Sequence, residues 1–94
     1  MFGVKDTPLR PLGFQQITDV SASTALTVPN FASMALIQCT AQNVRWRDDG
    51  TDPIATVGML IYAGDIGFWY TGDLAAIRFI EAAATAVLNV SYYK

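Results

Sequence analysis

The chain has 94 residues, of which 52 % are hydrophobic and only 15 % are charged, and its formal net charge is −2. A chain of this length supports one hydrophobic core, and its surplus of apolar residues predicts surface that association with like or unlike subunits would bury. The lack of histidine, the single cysteine and the absence of a basic cluster argue against an enzyme, a zinc site and a nucleic-acid-binding protein.

Residues 1–13 are predicted to form an extended N-terminal arm, followed by a single β-domain over residues 14–94. Pro8 and Pro11 disfavour a helix or a central strand, because proline fixes φ and lacks a backbone donor. A frayed terminus is one interpretation. The other is an arm that becomes ordered on a neighbouring subunit, since it carries apolar anchors that a solvated tail does not need. These anchors are Phe2, Val4, Leu9 and Leu12.

Short strands separated by turns are predicted from residue 14 onward. In residues 33–41, for example, Ala35, Ile37 and Cys39 alternate with their neighbours and share one face. Clusters of Gly, Pro, Asn, Asp and Ser separate the apolar runs and are typical of turns. The predicted strands are 14–20, 25–28, 33–41, 42–47, 54–62, 66–71, 77–80 and 86–93.

Residues 73–88 carry conflicting signals. Asp73 could cap a helix, and many alanines follow it. Residues 77–80 are equally suitable as the core of a strand, and a turn at 82–85 would let this strand form a hairpin with 86–93. We predict the strand because the neighbouring segments are all β, although the residues alone leave the helix open.

Such a pattern predicts an all-β fold, an antiparallel β-sandwich or jelly roll of about eight short strands. No apolar stretch approaches the roughly 20 residues of a membrane-spanning helix, and no secretory signal is recognised at the start. We therefore expect synthesis in a reducing cytoplasm, with the lone Cys39 as a buried small hydrophobic residue.

The run Val44–Gly50 combines a strand with a turn. Its alternation places Arg45 and Arg47 on the same face of the strand. Because a guanidinium binds a carboxylate through two hydrogen bonds, this pair is expected to bind an acidic partner surface. The alternative is pairing with the acidic turn that follows, Asp48 and Asp49.

Acidic residues in the same turn are interpreted as turn chemistry, and a weak or lattice-shared cation site is the alternative. Asp48, Asp49 and Asp52 lie around Gly50, but their spacing matches no complete calcium loop and the distal glutamate is missing. Asp48 and Asp49 are adjacent in a turn where solvent would keep both ionised, so they are unsuited to acid–base catalysis. We expect no enzyme activity, no cofactor and no bound metal.

Aromatic residues are more numerous than a small core requires. In the run Phe68-Trp69-Tyr70, alternation buries either Trp69 or its two neighbours. An exposed tryptophan can anchor a protein interface or stack on a sugar ring. Trp69 and Tyr93 are therefore predicted to contact a partner.

Six segments of the chain resemble a family of small structural proteins of tailed bacteriophages. The resemblance covers residues 26–94, and the run Arg-Trp-Arg-Asp-Asp-Gly at 45–50 is its most specific part. The segments are LTVP (26–29), ALIQ (35–38), NVRWRDDGT (43–51), YTGDL (70–74), AIRFI (76–80) and LNVSYY (88–93).

This resemblance implies a virion protein of the kind that decorates the capsid surface, a β-sandwich or jelly-roll cement protein. The implied partner is the major capsid protein or another virion protein, together with further copies of the chain. A tail or fibre adaptor, or a receptor- or carbohydrate-binding module of the virion, is the alternative. The resemblance implies no catalytic residue, and it favours a strand over residues 76–80.

Overall fold

A computed structural model describes residues 8–94, and within this range all regular secondary structure elements are β-strands. The prediction of an all-β chain with about eight short strands is thereby confirmed, while the expected contacts of Phe2 and Val4 lie outside the described residues. The strands are β1 (Pro11–Ile17), β2 (Thr24–Ala25), β3 (Met34–Thr40), β4 (Val44–Arg47), β5 (Met59–Ile61), β6 (Phe68–Tyr70), β7 (Arg78–Glu81) and β8 (Val87–Tyr93).

Two antiparallel four-stranded sheets contain these strands. The first sheet has the order β1-β8-β3-β6 and the second has the order β2-β7-β4-β5. The pairs are nested, because the first strand pairs with the last, the second with the seventh, the third with the sixth and the fourth with the fifth. Two further pairings, β8 with β3 and β7 with β4, join the nested pairs into sheets.

The predicted hairpin between residues 77–80 and 86–93 is wrong. The strand at Arg78–Glu81 exists, but it pairs with β2 and β4, whereas β8 pairs with β1 and β3. The turn between them carries the chain from one sheet to the other, and Thr85 adopts a left-handed backbone with φ of 72°. This turn is anchored on the second sheet, because the Ala82 amide donates to the Asn43 carbonyl at 2.8 Å.

The capping signal at Asp73 serves a single turn and not a helix. The Asp73 carbonyl accepts hydrogen bonds from the amides of Ala76 and Ile77 at 3.0 and 3.2 Å, and its carboxylate accepts one from Ala75 at 2.9 Å. Phe79 follows in β7 and is completely buried. The backbone of residues 78–81 pairs with β2 on one side and with β4 on the other, so the single turn at Asp73 does not continue as a helix.

The ordered sheet begins earlier than the predicted arm boundary at residue 13. Pro11 opens β1, and the amide of Arg10 already donates to the Lys94 carbonyl at 3.2 Å. Proline is tolerated there because β1 is an edge strand and Pro11 is its first residue. The strand also has a register shift between Pro11 and Gly13, which accommodates Leu12 against the core.

One hydrophobic core draws on both sheets. The predicted inward faces are confirmed, since Ala35, Ile37 and Cys39 are all buried. The cluster also contains Leu88, Val90 and Tyr92 of β8, Val44, Ile61 and Phe79 of the second sheet, and Val20, Tyr70, Leu74, Ile77 and Ala86.

Candidate interaction surface

The outer face of the first sheet carries a row of residues that crosses all four strands. Phe14 on β1 lies opposite Ser91 on β8, Ser91 lies opposite Leu36 on β3, and Leu36 lies opposite Trp69 on β6. We call these four residues the aromatic row. Its two ends are the most open, with Phe14 66 % and Trp69 48 % exposed.

Polar residues flank the aromatic row on one side. Gln16, Asn89 and Gln38 form the adjacent row, in which the Gln16 amide donates to the Asn89 side-chain oxygen at 3.0 Å. On the other side, Tyr93 packs edge-on against Trp69 with ring centroids 5.1 Å apart. The Ser91 hydroxyl donates to the Tyr93 hydroxyl at 3.2 Å, which fixes the tyrosine over the sheet.

No strand residue of this outer face bears a charge. Alternation along each strand assigns the face its members, since the intervening residues are those of the core. Depletion of charge and enrichment in aromatic residues distinguish the centre of a protein interface from ordinary surface. This uncharged face consists of Phe14, Gln16, Met34, Leu36, Gln38, Thr40, Trp69, Val87, Asn89, Ser91 and Tyr93.

A shallow groove of about 190 Å³ lies within the uncharged face. Phe14 and Leu36 form its two apolar walls, while Ser91 and Asn89 form the floor over β8. The small side chain of Ser91 creates the depression, because its neighbours in the aromatic row are much larger. The face therefore has both an exposed aromatic ring, that of Phe14, and a groove beside it that is large enough to hold such a ring.

Of the residues predicted to contact a partner, the structure brings Trp69 and Tyr93 together on the uncharged face. Phe68 and Tyr70 point the other way, and their rings pack against Trp46 with centroids 5.9 Å away in each case. This is one of the two orientations left open by the sequence. Leu9 lies before β1 and is 46 % exposed.

Phe14 is a surface residue that the sequence reasoning missed, and the adjacent Gln15 explains why. Gln15 is directed inward, where its side-chain oxygen accepts hydrogen bonds from the Tyr92 hydroxyl at 2.7 Å and from the Thr27 amide at 3.1 Å. Because Gln15 is held on the inner side by these partners and is only partly exposed, alternation along β1 places its neighbour Phe14 on the outside. At Phe14 and Gln15 the apolar residue therefore faces outward and the polar residue faces inward, the reverse of the usual arrangement.

Three arginines meet on the outer face of the second sheet. Arg47 on β4 lies directly opposite Arg78 on β7, and Arg45 shares their face two positions away. Arg45 is committed to the protein itself, since its guanidinium donates to the carbonyls of Ala55 and Gly58 at 3.0 and 2.9 Å. This contact holds the loop before β5 against β4.

The other two arginines also have intramolecular partners. Arg47 donates from two guanidinium nitrogens, Nε and Nη2, to the two carboxylate oxygens of Asp49, and this hydrogen bonding lowers the pKa of the Asp49 carboxyl. Arg78 donates to the carbonyls of Ala75 and Ile77 at 2.8 and 3.0 Å. Arg47 thus adopts the predicted alternative of pairing with its own turn, while recognition of an acidic partner by Arg45 and Arg47 stays a prediction.

Replacing Arg45 by Ala is expected to lower the free energy of unfolding by about 1–2 kcal/mol, because two backbone carbonyls lose a charged donor. Replacing Arg47 by Ala is expected to leave stability nearly unchanged, since exposed ion pairs contribute little. Urea denaturation of the two variants measures the difference. Equal destabilisation by the two substitutions would contradict these separate roles. Because Arg47→Ala is expected to stay stably folded, it is the variant suited to testing salt-dependent attachment to a partner.

The acidic residues near Gly50 point to different partners. The Asp48 carboxylate accepts a hydrogen bond from the Tyr70 hydroxyl at 2.7 Å, Asp49 binds Arg47, and Asp52 accepts one from the Ser23 hydroxyl at 3.0 Å. Within residues 8–94, no three His, Cys, Asp or Glu side chains are arranged to hold a metal ion.

Comparisons with protein-family models, with curated proteins and with solved structures find no match to this chain. In the described part of the chain, no helix has the length and apolarity needed to cross a membrane.

Proposed function

We propose that this chain is a non-enzymatic structural protein of a tailed-bacteriophage virion, a cement protein that binds and stabilises the capsid shell. The resemblance over residues 26–94 suggests the phage assignment. The observation that carries an interaction role is the uncharged face, because a small domain gains little from exposing Phe14 and Trp69 at the two ends of one row, with Leu36 half-buried between them.

We further propose that the two sheets form a jelly-roll sandwich. The nested pairing supports this, since it is the arrangement obtained when one long antiparallel hairpin, with its turn between β4 and β5, is rolled into two sheets. The shared core is consistent with face-to-face packing of the sheets. Jelly rolls occur in viral capsid domains and in lectins, so this fold suits either form of the proposal.

The two outer faces suggest how a cement protein would act. The uncharged face would remove apolar surface from water, and the arginine-bearing face would suit an acidic region of the major capsid protein. Many copies, each burying on the order of 800 Å² per partner, would add contact area between capsid subunits and resist the pressure of packaged DNA. Neither direct DNA contact nor a membrane is required.

Copy number tests this proposal. Quantitative mass spectrometry of purified virions is expected to find this chain in hundreds of copies, comparable with the major capsid protein, and particles lacking it should release DNA at a lower temperature. A reconstruction should place it on the capsid surface. Absence from virions would overturn the proposal.

A tail or fibre adaptor, or a receptor-binding module, is the second candidate. The half-exposed Trp69 beside Tyr93 favours it, because such a ring can stack on a sugar. A few to a dozen copies per particle would support this assignment over cement. Binding of a host glycan that is lost in Trp69→Ala would separate a receptor-binding module from an adaptor.

A further inference from the structure

We infer that the uncharged face is the contact between two copies of this chain, related by a two-fold axis, with Phe14 of each copy seated in the groove of the other. The contact is expected of the isolated protein, whether or not the chain belongs to a virion. The occupant of the face is thus a second copy of the same chain.

The absence of charge on the face favours a second copy of the chain as its partner. Across a two-fold axis a surface meets itself, so any charge near the axis would oppose its own sign. The strand residues of the uncharged face include no Asp, Glu, Lys or Arg, so two copies can approach without repulsion and without desolvating an ion. The opposite sheet differs, because its outer face would bring Arg47 and Arg78 of both copies together.

The face carries a protruding ring and a groove of matching size side by side. Phe14 is 66 % exposed, and the groove that it borders runs over Ser91 to Leu36. Because Phe14 is itself a wall of the groove, an axis close to this residue would place each ring over the partner's Ser91. The two rings would then lie side by side, an arrangement that aromatic pairs favour. Protrusion and depression on one surface meet the requirement for an isologous contact.

Size sets the expected strength. With the axis between Phe14 and Ser91, β1 and β8 of one copy lie over β8 and β1 of the other. Two strands about 4.8 Å apart and about 24 Å long give a flat footprint of roughly 200 Å², so the contact is smaller than a standard specific interface even after side-chain relief is added. We therefore expect a weak, reversible dimer with a dissociation constant on the order of hundreds of micromolar, and not an obligate one.

Sedimentation equilibrium of the purified chain from about 1 to 500 μM tests the inference. The average mass is expected to rise from the monomer value of 10.2 kDa towards twice that value. Ser91→Arg, which places a charge on the groove floor of both copies, and Phe14→Ser, which removes the protruding ring, should each weaken association at least about tenfold.

Ile66→Ser is the matched control, because Ile66 is 96 % exposed and lies outside the uncharged face. This variant should dimerise as the unmodified chain does. Circular dichroism and the melting temperature test whether each variant is folded. If Ser91→Arg or Phe14→Ser is not folded, Gln38→Arg replaces it, because Gln38 is an exposed residue that lines the groove. A monomer at 500 μM, or a dimer indifferent to charge on the groove, would overturn the inference.

Discussion

The free energy of unfolding is expected to fall by about 4 kcal/mol between about pH 9 and pH 12, because two buried tyrosines resist ionisation in the folded chain. The pKa values of Tyr70 and Tyr92 are both raised to about 12 from 10.0. Burial is the main cause in each case. At Tyr70, the hydrogen bond to Asp48 and the negative charge of that carboxylate raise the pKa further.

The direction follows from proton binding. Above about pH 10 the unfolded chain loses phenolic protons that the folded chain retains, so folding becomes less favourable as the pH rises. The stabilisation is complete below the unfolded pKa and is lost as pH passes through the folded pKa. Cys39 acts in the same direction, because burial raises the pKa of its thiol.

Urea denaturation at intervals from about pH 8 to pH 12 measures this loss. Tyr92→Phe should be about 1 kcal/mol less stable at neutral pH, because Gln15 loses a hydrogen-bond donor. The same variant should lose less stability on going to high pH, as should Tyr70→Phe. If both variants have the alkaline dependence of the unmodified chain, other groups control it and the prediction is wrong.

Replacing Gly72 by Ala is expected to destabilise the fold by about 2–4 kcal/mol, because the new methyl group would overlap Tyr70. Its Cβ would lie 2.6 Å from Cζ and 3.1 Å from Cε1 of the Tyr70 ring. The ring would have to leave its edge-on contact with Trp46, and its hydroxyl would lose the 2.7 Å hydrogen bond to Asp48.

Gly13→Ala is the matched control, because a Cβ there would meet only Pro29 at an ordinary 3.8 Å. It should be neutral or slightly stabilising, since alanine restricts the unfolded chain. Thermal melts of both variants measure the contrast. The double variant Gly72→Ala/Tyr70→Leu should lose less stability than the two single losses added together, and strict additivity would argue against the proposed overlap.

Sequence reasoning succeeded where the physics is local. Burial alternates along a strand, so the inward face of residues 33–41 could be predicted from apolar periodicity alone. Rejection of a helix over residues 73–88 required the neighbouring strands as context. Pairing is not local, however, and the predicted hairpin failed because a turn at 82–85 looks the same whether the chain stays in one sheet or crosses to the other.

The candidate surface was only partly predictable for the same reason. Trp69 and Tyr93 could be identified as candidate contacts from residue type, but their proximity depends on β8 and β6 both flanking β3. Phe14 and Leu36 lie in one row with Trp69 only because of the register in which β1, β8, β3 and β6 pair. Arg78 likewise lies opposite Arg47 because β7 pairs with β4, although the two residues are 31 positions apart in the sequence.

Nested pairing also determines how the chain reaches its fold. Gln16 and Asn89 meet although they are 73 residues apart, whereas β4 and β5 form the one local hairpin among residues 8–94. Topologies dominated by such distant contacts fold in milliseconds to seconds, because loop-closure entropy opposes the early contacts. Until β1 and β3 flank β8, that apolar strand has unpaired edges. The rate of closure, in competition with aggregation, therefore limits the yield of native protein at high concentration.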